Sequence, residues 1–139
     1  MIYPTLFLNP NKSSRMLKSI LVTALTMLVL DAVWLTFRRS YHESLIKSVQ
    51  GTISSIRIIP AILIYILLPA STTYFATNHS KTSVEALKNG AIFGASMYAL
   101  YDLTNLATLK GWTMEMTIID ILWGTVICSV GAFSGYFMK

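Results

Sequence analysis

Four apolar stretches of membrane-crossing length dominate this chain, at about 17–37, 58–76, 89–108 and 116–138 of 139 residues. A helix needs about 20 residues to cross a hydrocarbon core of roughly 30 Å. Lipid offers no hydrogen bonds, so each crossing must satisfy its own backbone, and helices do this within one segment. Only 12% of the residues are charged, against about 25% in soluble domains. The expected fold is therefore all-α: an integral membrane, up-and-down four-helix bundle joined by short loops. Residues 1–15 are expected as an N-terminal extension and 16–139 as the membrane domain. The loop from Arg38 to Arg57 is long enough for a short amphipathic helix at the interface.

The chain carries a net charge of +5. Lys and Arg are spread over the loops with no interleaved aromatics, a pattern suited to anionic headgroups and not to nucleic acid. With four crossings, both ends lie on one side. That side holds Lys12, Arg15, Lys18, Lys81, Lys88 and Lys139, and the other holds Arg38, Arg39, Lys47, Arg57 and Lys110. The narrow excess favours cytoplasmic ends. Two glycosylation sequons, at Asn11 and Asn78, lie on the same side and would report the reverse orientation. The apolar start, residues 2–8, is short, broken by Pro4 and followed by the basic residues, so it does not read as a signal peptide. Cys128 is the only cysteine, and His42 and His79 are far apart. No disulfide, metal site or cofactor is expected.

Three carboxylates break the apolar pattern. Asp31 lies in the last third of the first span, Asp102 in the last third of the third, and Asp120 in the first turns of the fourth. An acid in hydrocarbon costs about 2.5–3.5 kcal/mol on insertion scales, so intramembrane acids default to functional candidates. All three, with Asn105 and with Arg57 at the start of the second span, fall on the side away from the ends. One polar cluster at that face is expected, with Arg57 as the natural partner of Asp31.

Helical phase agrees. Asp31 and Trp34 share a face, and Asp120 and Trp123 repeat the spacing. Tyr98, Tyr101, Asp102 and Asn105 are spaced by three and four. The candidate ligand-binding set is thus Asp31, Trp34, Arg57, Tyr98, Tyr101, Asp102, Asn105, Asp120 and Trp123. Trp112 and Tyr41 fit an interfacial belt, Tyr65 could reach the cluster from the second span but better fits packing, and Thr117 is a possible cap for the fourth helix. Gly90-x-x-x-Gly94 and Gly131-x-x-x-Gly135 permit close helix approach. They imply tight packing of the third span on the fourth, or a homo-oligomer through either face.

The motifs Asp31-x-x-Trp34-Leu35, Arg57-x-x-Pro60-Ala61, Tyr98-x-x-Tyr101-Asp102-Leu103-Thr104-Asn105, Thr108-Leu109-Lys110-x-Trp112 and Asp120-x-x-Trp123-Gly124 resemble the membrane proteins grouped as domain of unknown function 2177. The resemblance runs from about Met16 to Phe137. It implies a four-helix integral membrane protein and no established reaction. It also implies an association with lipid-modifying enzymes, which favours lipid chemistry.

Three functional classes follow. The first is binding or modifying a lipid or other amphiphile, with carboxylates and rings holding a polar headgroup above an apolar tail. The second is a small oligomeric proton-coupled carrier. The third is a structural membrane subunit. No His lies within a span, which argues against triad hydrolysis. Whether the chain catalyses a reaction is left open by the sequence.

Overall fold

The computed structural model describes residues 10–52 and 55–139. Four helices follow one another: α1 (Pro10–Gln50), α2 (Ile58–Thr72), α3 (Ser83–Thr108) and α4 (Met114–Tyr136), with a π-helical segment, Thr73–Thr77, extending α2. No strand occurs among the described residues.

The apolar side chains point outward. Leu21 and Leu25 on α1 and Ile62, Leu63, Ile66 and Leu67 on α2 are all more than half exposed. The buried positions include Ser19, Thr23, Thr73, Thr77, Thr117 and Asp102. A water-soluble bundle shows the opposite arrangement; this one faces a hydrocarbon solvent. Three helices, α1, α2 with its extension, and α4, are long and apolar enough to cross a membrane. α3 has the length, at 26 residues, but carries Glu85, Lys88, Asn89, Asp102 and Asn105.

Small residues set the packing. A β-carbon on Gly90 would collide with the Cys128 carbonyl and the Ala132 side chain, and one on Gly94 with the Gly124 carbonyl. These glycines let the α3 and α4 backbones touch, as the spacing predicts. Gly131 meets Met27 and Gly135 meets Thr23 and Ser19, all on α1. Both glycine faces are therefore filled from within the chain. The oligomer that the sequence allows through Gly90/Gly94 or Gly131/Gly135 finds no support here, because these glycines already meet residues of their own chain.

Hydroxyls stitch the same half of the bundle. Ser19 Oγ donates to the Gly135 carbonyl at 2.8 Å, and Thr23 Oγ1 to the Gly131 carbonyl at 3.1 Å. Thr73 Oγ1 donates to Thr23 Oγ1 at 3.2 Å, and Thr77 Oγ1 to the Ala132 carbonyl at 3.2 Å. Such bonds average about 0.6 kcal/mol in a membrane protein. Pro69 lies within α2, where it lacks the N–H that would bond the preceding turn. The π-helical segment begins one turn later and turns Thr73 and Thr77 inward.

Several sequence expectations change. α1 does not stop at Arg38-Arg39. It runs as one helix of 41 residues, about 60 Å long at 1.5 Å per residue, and the separate interfacial helix is absent among the described residues. Nothing between Arg38 and Gln50 breaks a helix: there is no Gly or Pro, and Arg39 pairs with Glu43 one turn on at 2.8 Å. The break comes at Gly51, with φ +79°. At the other end the expected extension is helical from Pro10, and residues 1–9 lie outside the described residues. The fourth helix is capped by Thr113, whose side chain accepts from Met116 N–H, and not by Thr117. α3 starts the same way, with Thr82 accepting from Glu85 N–H while Glu85 accepts from Lys81 N–H.

Candidate functional site

The half of the bundle away from the glycine seams holds the carboxylates. Asp31 on α1 is a junction: Oδ2 accepts from the Tyr65 hydroxyl of α2 at 2.8 Å, and Oδ1 accepts from Trp123 Nε1 of α4 at 3.0 Å. Trp123 also stacks on Trp34, with ring centroids 4.5 Å apart and planes 5° from parallel. The paired Asp-x-x-Trp motifs of α1 and α4 thus meet face to face.

On α3, the Tyr98 ring lies over Gly124, where a β-carbon would overlap it. One turn on, Asp102 is completely buried. The antiparallel register that sets Gly94 on Cys128 and Tyr98 on Gly124 brings its carboxyl to that of Asp120 on α4 one step further along, and neither of its oxygens has a hydrogen-bond donor. Asn105 is one turn further, with its amide nitrogen buried and unpartnered. Tyr101 faces outward and meets Trp112 edge-on at 6.1 Å. Trp112 Nε1 donates to Thr117 Oγ1 at 3.2 Å.

Between α1, α3 and α4 lies a cavity of about 260 Å³. Asp31 and Asp120 line it with Trp34, Tyr98, Tyr101, Trp112 and Trp123, and His42 stands on its α1 wall. It is not sealed, because Leu35 and Tyr101 in its wall are themselves largely exposed. A larger cleft, about 640 Å³, lies at the opposite end and is lined by Lys12, Arg15 and Lys139 among others. Lys139 Nζ there is already bonded to the carbonyls of Asn78 and Ser80, and no carboxylate side chain lines that cleft. The convergent chemistry is in the smaller cavity. Among the described residues, no three His, Cys, Asp or Glu side chains are placed to hold a metal ion.

The structure gathers eight of the nine sequence candidates in this half: Asp31, Trp34, Tyr98, Tyr101, Asp102, Asn105, Asp120 and Trp123. Arg57 is not among them. It is exposed at the N-cap of α2, and Asp31 takes its partners from Tyr65 and Trp123 instead. Arg57 is eight residues before Tyr65, which along a helix is about 12 Å further out.

Sequence reasoning misses two residues here, Arg38 and His42, and favours packing for Tyr65, which does reach the cluster from α2. Arg38 and His42 follow Trp34 at intervals of four, one stripe of a continuous helix, and were lost when the span was ended at Arg38. The Arg38 guanidinium lies over the Tyr41 ring at 4.2 Å, with Nε and Nη2 buried and unpartnered.

An aliphatic exterior, hydroxyl-stitched helices and carboxylates turned to the inside of the bundle together define a multi-pass helical membrane protein. The chain belongs to the family described as predicted membrane protein, DUF2177, whose profile matches residues 16–137. No curated protein and no solved structure matches it.

Proposed function

We propose that this protein binds the polar headgroup of a membrane lipid or other amphiphile in the cavity between α1, α3 and α4. The observation that carries this reading is the cavity's lining: two carboxylates and five aromatic rings, beside helices whose outer faces are aliphatic. Carboxylates accept hydrogen bonds, so the headgroup is a donor, a hydroxyl or an ammonium. Tryptophan and tyrosine faces pack against a cation or against the apolar side of a polyol. The tail lies along the exposed leucines and isoleucines. The resemblance-based association with lipid-modifying enzymes points the same way.

The reading takes α3 to cross the membrane with the other three helices, held there by its glycine contacts with α4. Four crossings put Pro10 and Lys139 on one side and the cavity toward the other. The six-to-five excess of Lys and Arg in the sequence favours the cytoplasm for the ends. Mapping engineered cysteines with a membrane-impermeant label tests that assignment.

The test of the function is native mass spectrometry with lipid analysis on protein in mild detergent, wild type beside Asp120→Asn. A specific amphiphile kept by wild type and lost from the folded variant supports the reading and names the headgroup class. If wild type enriches no amphiphile over the membrane extract, the reading fails.

A further inference from the structure

The cavity does not account for Asp102. This side chain is fully closed off, with 0% of its surface exposed, and it does not line the cavity. Neither carboxyl oxygen has a donor. A buried polar atom without a partner costs on the order of 1–3 kcal/mol, and more when charged. Asp102 has two such atoms, and the Asp120 carboxyl is beside them.

The other groups facing this space do not relieve the pair. Asp31 on α1 is a third carboxyl near Asp120 and brings no donor of its own. Its own oxygens are already served by Tyr65 and Trp123. Tyr98 on α3 and Cys128 on α4 make no hydrogen bond to Asp102. On α1, Arg38 is turned to Tyr41, and His42 stands on the cavity wall. The one ion pair among the described residues, Arg39–Glu43, is elsewhere.

Two carboxylates in contact, one of them fully buried, resist being ionised together. A single proton between them solves both problems at once. It removes the like-charge contact and supplies the missing O–H donor.

We propose that Asp102 and Asp120 hold one exchangeable proton between them inside the membrane, and that it enters and leaves through Asp120 from the cavity. Asp120 touches both spaces: it lines the cavity and it contacts Asp102. The proton comes from bulk water and returns to it, so no other reactant is needed. This inference does not rest on the headgroup reading, since it concerns the acid behind the cavity and requires no ligand.

Infrared spectroscopy on the protein in lipid nanodiscs at neutral pH tests it. The expected result is a protonated-carboxyl C=O band that shifts in D2O and is lost in both Asp102→Asn and Asp120→Asn. In Asp31→Asn the band should remain. The wild-type spectrum decides even if a variant fails to insert: no protonated-carboxyl band at neutral pH overturns the proposal. So does a wild-type band that does not shift in D2O, or one lost only in Asp31→Asn.

Discussion

Asp31 and Trp123 join the first and last helices through a 3.0 Å hydrogen bond, 92 residues apart in sequence. The same carboxylate accepts from Tyr65 at 2.8 Å, so one side chain ties three helices. Asp31→Ala strands the Tyr65 hydroxyl and the Trp123 N–H together. The expected loss is about 2–4 kcal/mol, at 1–3 kcal/mol per stranded buried donor with partial compensation by cavity water. Tyr65→Phe, which leaves one bond in place, should lose about 1 kcal/mol. Reversible unfolding of both variants in detergent micelles checks the order. Equal losses would mean that Tyr65 is the only bond that matters.

Arg57 gives the opposite case. It is exposed and makes no ion pair with Asp31. Arg57→Ala should therefore stay within about 0.5 kcal/mol of wild type, as surface changes do. A loss as large as that of Asp31→Ala would restore the Asp31–Arg57 clamp that the sequence suggests.

The contrast between these two residues shows what was legible before the fold was known. Segment length and hydropathy revealed the helices, because lipid leaves few alternatives. The depth of Asp31, Asp102 and Asp120 revealed that they share one half of the bundle, because rise per residue is fixed. Which group meets which was harder. Arg57 looked like the partner of Asp31 on charge alone, while the helix register offered a neutral tyrosine. Arg38-Arg39 looked like a stop, because paired arginines end many spans. A helix, however, can leave the membrane without ending, and only a backbone breaker such as Gly51 stops it. His42 was hidden behind that error. The unpartnered burial of Asp102 is a packing fact that no spacing encodes.

The continuity of α1 can be measured directly. Spin labels at Leu21 and Ser44, both exposed, are 23 residues apart. A single helix places their backbones about 35 Å apart at 1.5 Å per residue. The buried Cys128 would be replaced by alanine first, to leave only the two labels. A pulsed-EPR distance well below that value would mean that α1 bends at Arg38-Arg39 and lays its second part on the membrane surface.

The glycine seam carries the last prediction. A β-carbon on Gly94 would overlap the Gly124 carbonyl and crowd Cys128. The obstacle is backbone, which cannot rotate away as a side-chain tip can. Gly94→Ala must push α3 from α4, and overpacking of this kind costs about 1–3 kcal/mol. The same shift would open the contact between Asp102 and Asp120, which sit two turns along from Gly94 and one turn before Gly124. Gly124→Ala should act through a different neighbour, since its β-carbon would strike the Tyr98 ring, and Tyr98→Ala should relieve part of that loss. The measurement is thermal unfolding of Gly124→Ala, Tyr98→Ala and the double variant. A double variant less stable than Gly124→Ala by the full cost of Tyr98→Ala would mean that ring and glycine do not pack together.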